Sequence, residues 1–147
     1  MKINYQAVIV AAIIHFMIGG LWYGAIFGNL FLRIIGWTPA QQEQIVAQTN
    51  WTVYLMAFVC SFFLSYILAH FVQYTKASRA LDGMQTGFWL WMSFVATTQL
   101  PTVIFEQRKL GLYLLNVGYQ LAACLICGAI LAIWKPRAAV DALADTA

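Results

Sequence analysis

LYLLNVGYQLAACLICGAILAIW, from Leu112 to Trp134, decides the fold class. A bilayer core ~30 Å thick needs ~20 predominantly apolar helical residues at 1.5 Å rise, and this run meets that length without a Lys, Arg, Asp or Glu. Three more stretches do the same: Tyr5 to Phe27, Val53 to Tyr74 and Met84 to Phe105. The sequence therefore predicts an all-α, four-transmembrane-helix bundle, a single integral membrane domain over residues 1–147 with the lipid bilayer as its solvent. Composition agrees. The chain is 63% hydrophobic and 9% charged, against roughly 25% charged for an average soluble domain. A soluble core of this length could not hide so much apolar surface.

The formal net charge of +3 is too small and scattered to indicate nucleic acid. Cys60, Cys124 and Cys127 all fall inside spans, so they do not form a secreted disulfide framework. Lys2 precedes the first apolar run as in a signal peptide. That run is too long, however, no A-x-A site follows it, and three more spans come after, so an uncleaved first helix is expected. With four spans, Lys2, Lys76, Arg79, Lys135 and Arg137 share one side and outnumber Arg33, Arg108 and Lys109 on the other. The positive-inside rule then places both termini in the cytoplasm. Tyr5, Tyr74 and Trp134 mark the inner interface, and Trp22, Tyr23, Trp37, Trp51, Tyr54 and Tyr113 the outer one.

Gly20, Gly24 and Gly28 recur every four residues and predict a helix-packing face on the first span, within the monomer or in a homo-oligomer. Gly83 and Gly87 form a second such pair at the start of the third span. In the outer loop, Phe27 to Trp37 fits a short interfacial helix stopped by Gly36. Thr38, Pro39 and Gln41 read as N-cap, first helical residue and capping box of a polar helix running to about Gln48. The sequon at Asn50 to Thr52 abuts the membrane and carries no weight. The tail after Pro136, Ala-rich with Asp141 and Asp145, is expected to fray.

Polar residues inside spans are costly in hydrocarbon and are the functional candidates. Ser93 and Thr97 make one row of the third span, and Thr98, Thr102 and Glu106 the next, beside Pro101. Asn116, Gln120 and Cys124 share a stripe of the fourth span, flanked by Tyr119 and Cys127, and His15 and Gly19 lie below Trp22 and Tyr23 in the first. Depths taken from the helical rise predict a polar cleft opening outward, with Glu106 at its mouth and His15 at its floor. Each element also has a plainer reading. Thr hydroxyls near Pro101 can satisfy freed carbonyls, Asn116 and Gln120 can join helices, and Glu106 can pair with Arg108 or Lys109 in solvent. His15 at mid-bilayer needs a partner.

Cys124 and Cys127 fit C-x-x-C but lie mid-helix, without the access that redox chemistry needs. A metal on His15, Cys124 and Cys127 would lack a fourth ligand, and His15 and His70 differ too much in depth to ligate a haem. No cofactor is expected.

Several pieces together resemble a family. They are GLWY (Gly20 to Tyr23), Phe105 with Glu106, NVGY (Asn116 to Tyr119), GFWLWMSFVATT (Gly87 to Thr98), GAILAIW (Gly128 to Trp134) and the Thr38–Pro39 helix start. They are similar, in order and spacing, to a family of small bacterial integral membrane proteins known only as a domain of unknown function. The resemblance runs from the first span to Trp134. It implies a multi-pass protein of the bacterial inner membrane, and it directs attention to Trp22, Tyr23, Glu106, Asn116 and Tyr119. Two function classes follow from the residues. One is binding or transport of a small ligand, of unknown identity, in the outward cleft. The other is a structural or accessory subunit acting through its glycine rows. A lipid enzyme ranks last, because nothing assembles a nucleophile, a base and oxyanion donors.

Overall fold

The computed structural model describes residues 3–134. Lys2, Lys135, Arg137 and the tail with Asp141 and Asp145 lie outside the described residues. Four helices are long and apolar enough to cross a membrane: Tyr5–Ile26, Trp51–Tyr74, Ala80–Phe105 and Leu110–Ile133. The protein is a multi-pass, all-α membrane protein, with no strand among the described residues. The first span is α1 (Tyr5–Gly20) prolonged by a π-helical segment, Leu21–Ile26. Two short helices follow, α2 (Gly28–Ile35) and α3 (Pro39–Gln48), and then the second span, α4 (Trp51–Tyr74). The third span is α5 (Ala80–Trp91), a π-helical segment Met92–Ala96, and α6 (Thr97–Phe105). The fourth is α7 (Leu110–Ile133).

Local chemistry sets the boundaries. Asn4 starts α1 by accepting the backbone N–H groups of Gln6 and Ala7 at 3.1 and 3.3 Å. The expected interfacial helix is α2, which Gly36 ends in the left-handed conformation (φ 77°). Lys109 Nζ donates to the α2 carbonyls of Ile34 and Ile35, tying that end to the foot of α7. The capping box before α3 is present: Thr38 Oγ1 accepts from Gln41 N–H at 3.4 Å, and Thr38 N–H donates to Gln41 Oε1 at 2.9 Å. Asn50, the sequon residue, is the N-cap of α4, which lengthens the second span to Trp51. Asp82 accepts the N–H groups of Ser78 and Arg79, so the third span begins at Ala80 rather than Met84.

The helix α7 is the hub, meeting every other span, and its contact with α5 is the most extensive. The cause is the second glycine pair. Gly83 lies against the Gly128 carbonyl and Ala132, and Gly87 against the Cys124 carbonyl, with backbones too close to admit a Cβ. The first span packs on α4 and α7 through small and branched residues, Ala7, Val8 and Ala11 against Leu68, Ala69, Cys127 and Leu131.

Of the two readings of the first glycine row, packing within the monomer is not what the structure shows. Around Gly20 and Gly24 nothing lies within 4 Å of where a Cβ would stand, and both are exposed. They line no contact within the monomer. Gly28 meets only the Tyr23 carbonyl oxygen of the preceding turn, at 2.9 Å from an added Cβ. The side of the first span that faces α7 is instead His15, Gly19 and Tyr23, and Gly20 stands about 100° further round the helix. Gly19 is the close-packing glycine there, since its added Cβ would stand 3.1 Å from Tyr119 Oη.

Candidate functional site

The two longest-range sequence motifs of the first and fourth spans meet in space. Tyr23 Oη donates to Asn116 Oδ1 at 2.7 Å, and Trp22 Nε1 donates to the Leu115 carbonyl at 3.2 Å. The Trp22 ring lies over Gly118, where an added Cβ would stand 3.4 Å from it. Tyr119 packs edge-on to Tyr23 with ring centroids 5.6 Å apart. A π-helical segment carries one extra residue per turn, and this is what lets the adjacent Trp22 and Tyr23 both reach α7. From the other flank Trp91 Nε1 donates to the Val117 carbonyl at 2.7 Å, and Tyr113 Oη to the Ala96 carbonyl at 3.0 Å. Ala96 belongs to the second π-helical segment, where i→i+4 pairing is interrupted and its carbonyl can take a side-chain donor.

His15 is not the floor of an open cleft. It is 2% exposed, and its ring stacks on Tyr119 at 5.6 Å, so Tyr119 and Tyr23 close it off from the end of the bundle that carries α2 and α3. The Ser61 backbone and the Gln120 side chain lie beside it. Neither completes a hydrogen bond of regular geometry, and both ring nitrogens and Gln120 Oε1 stay unpaired. Cys127 Sγ donates to the Ala11 carbonyl at 3.3 Å, and Cys124 and Cys127 are buried free thiols. Among the described residues no group of three or more His, Cys, Asp or Glu is placed to hold a metal ion.

A cleft does open at this end of the bundle, between α6 and α7, with a lining that differs from the expected one. It encloses about 200 Å³ among Gln99, Thr102, Arg108, Leu112, Tyr113 and Asn116. Thr102 and Asn116 were expected there. Gln99, Arg108 and Tyr113 were not singled out for it, although Gln99 is a polar residue inside a span and carried a usable signal. Glu106 is not part of the lining. It is exposed and accepts Arg108 Nε at 2.8 Å, the solvated ion pair of the plainer reading. Its effect on the cleft is indirect, through the guanidinium that it holds. Gln107, in the left-handed region at φ 54°, turns the chain so that Arg108 comes back over the cleft. Thr98 is exposed and donates to the Phe94 carbonyl at 2.6 Å, outside the cleft. Thr97 and Thr102 likewise donate to Ser93 and Gln99 carbonyls, both at 2.7 Å. The threonines thus bond back to carbonyls three or four residues earlier in their own span, whereas the Ala96 carbonyl, five residues before Pro101, is taken by Tyr113.

Asn116 is the joint between the two halves of the site. Its carbonyl oxygen is taken by Tyr23, which leaves the Nδ2 group as its donor to the cleft. Arg108 has its Nε engaged and its terminal N–H groups to offer. The cleft is therefore rich in donors and fits an acceptor group. No curated protein and no solved structure matches the chain. The model of a family described as a protein of unknown function (DUF1761) matches residues 6–132, and the chain belongs to that family.

Proposed function

We propose that this membrane protein binds a small polar ligand from the outer side, in the cleft between α6 and α7. The observation that carries the reading is the convergence of Arg108, Asn116 and Gln99 on one space of about 200 Å³ at the end of the bundle. Arg108 and the Asn116 amide favour a ligand with a carboxylate, phosphate or carbonyl oxygen. Binding without catalysis is the inference, because the hydroxyls of Thr98 and Thr102 are engaged with carbonyls rather than with a base. The orientation proposed is the positive-inside one, with Lys76 and Arg79 in the cytoplasm and the cleft facing away from it, in a bacterial inner membrane. Native mass spectrometry of gently extracted protein tests the binding reading. A retained adduct of defined mass is expected, lost in Arg108→Gln and in Asn116→Leu and kept in Thr98→Val. Retention in all three variants would place the ligand elsewhere.

A second reading, a structural subunit, draws on Gly20 and Gly24, which face outward from the monomer with no neighbour. Such a face admits close approach by another helix. Under this reading Gly24→Leu converts an oligomer to monomers in the same spectra, while Arg108→Gln changes nothing.

A further inference from the structure

At the opposite end of the bundle a larger groove opens between α4 and α5, remote from the outer cleft. It encloses about 380 Å³, within the size range of small-molecule sites (about 300–1,000 Å³). The helix α5 and the start of the adjoining π-helical segment form its long wall, from Asp82 to Phe94, in two rows at helical spacing: Gln85, Trp89 and Ser93, and Thr86, Leu90 and Phe94. At 1.5 Å per residue that wall is ~18 Å long, slightly more than half of a ~30 Å bilayer core. This is the depth of one leaflet.

The two ends of the groove differ. Its deep part is walled by Trp89, Leu90 and Phe94, and faces Phe71 of α4. Its shallow part carries Thr75, Asp82, Gln85 and Thr86, with the Thr75 and Thr86 hydroxyls 3.0 Å apart. Arg79 neutralises Asp82 through an ion pair at 3.4 Å. Lys76 stands between Thr75 and Ala77, both of which line the groove, and it has no ion pair among the described residues. Lys76 itself stands outside the lining, whose charged side chain is Asp82, and the loop that carries Lys76, Arg79 and Asp82 has one net positive charge beside the polar mouth of the slot. In a bilayer an apolar space of this size between two spans is filled by hydrocarbon rather than left empty.

We propose that this groove seats one phospholipid, an acyl chain along α5 and an anionic headgroup at Lys76. The gradient from Phe94 at the deep end to Thr75 and Asp82 at the mouth matches an amphiphile, and the net positive charge of the adjoining loop sets its headgroup charge.

The experiment is native mass spectrometry of the full chain in micelles, titrated with dioleoyl phosphatidylglycerol or dioleoyl phosphatidylcholine. The wild-type protein is expected to hold one lipid, the anionic one preferred by about fivefold, the effect of a single basic residue near a headgroup. Lys76→Gln should abolish that preference while the chain still binds. Ser93→Phe, which fills the deep end of the slot where the acyl chain would lie, should lose both lipids while keeping its circular-dichroism transition. An unchanged lipid preference in Lys76→Gln would overturn the proposal, even if Ser93→Phe failed to fold. So would an undiminished lipid count in a folded Ser93→Phe protein, or a dimer that Ser93→Phe splits, which would make the occupant a second copy.

Discussion

Replacing Gly87 by alanine tests the packing argument most sharply, with Gly24→Ala as its control. At Gly87 the added Cβ would fall onto the Cys124 carbonyl, 2.8 Å from its carbon; at Gly83 it would stand 2.6 Å from the Ala132 Cβ. Ordinary contact begins near 3.4 Å, so α5 and α7 would have to part by roughly 1 Å, enough to forfeit a quarter to a half of each contact's dispersion well. The obstacle at Gly87 is backbone, which has no rotamer to yield. Overpacking costs typically ~1–3 kcal/mol, and the upper end applies here. Alanine returns ~1 kcal/mol of helix propensity, which leaves a net loss of about 2 kcal/mol. At Gly24, with nothing within 4 Å, only the propensity gain of ~1 kcal/mol remains for the monomer. Reversible unfolding by SDS titration in mixed micelles, followed by far-UV circular dichroism, measures both. A Gly87→Ala protein as stable as wild type would refute the close α5–α7 approach. A Gly24→Ala protein that loses stability at a dilution where the chain is monomeric would refute the outward-facing row.

Lys109→Met removes the donor to the Ile34 and Ile35 carbonyls at the C-terminus of α2. It should cost ~0.3–1 kcal/mol and speed hydrogen exchange in α2 while α3 is unaffected; uniform protection would show that this tether does not hold α2. Tyr23→Phe deletes the 2.7 Å bond to Asn116, with an expected loss of about 0.6 kcal/mol, the average for interhelical bonds in lipid. A double-mutant cycle with Asn116→Leu should show coupling of that size, and additive losses would mean the two groups do not interact. Gln107→Gly relieves a left-handed residue at φ 54° and should raise stability by about 1 kcal/mol, read in the same titration. A loss would mean that the Gln107 side chain, rather than the turn, holds Arg108.

The four spans, the two short helices between the first and second of them, and their caps were legible because each rests on local chemistry: run length, Thr38 with Gln41, the left-handed Gly36. What was not legible is which face of each span turns inward. In water the apolar stripe of a helix reports its buried side, but here both lipid and core are apolar, and the pattern carries no such information. Glycine spacing alone then gave two candidate rows, and only Gly83 with Gly87 is packed in the monomer. The phase of the polar rows failed for a related reason. Segments Leu21–Ile26 and Met92–Ala96 are π-helical, so positions counted at 3.6 residues per turn drift across them. Beyond the second segment, within α6, the pair that turns to the cleft is Gln99 with Thr102, three apart, rather than Thr98 with Thr102, four apart. His15, expected at the end of an open path, is shut in by Tyr119 because Gly19 lets that ring approach the first span.

These departures share one location. Both π-helical segments border α7, and each supports a long-range bond to it: the first carries Trp22 and Tyr23, and the second offers the Ala96 carbonyl to Tyr113. Together with Trp91, which precedes the second segment, they fix Leu115 to Val117 from two sides. Asn116 stands between those two anchored carbonyls and is held by Tyr23 as well. One wall of the cleft between α6 and α7 is therefore pinned down to its backbone. The opposite corner is Arg108, exposed, reached through a left-handed turn and held by a solvated carboxylate. A site with one fixed amide and one adjustable cation can close on ligands of differing size while keeping the same first contact. That division also explains why the tryptophans flanking Asn116 belong to the site although neither lines the cleft. They set where Asn116 stands, and under the proposed function Arg108 is the group that adjusts to the ligand.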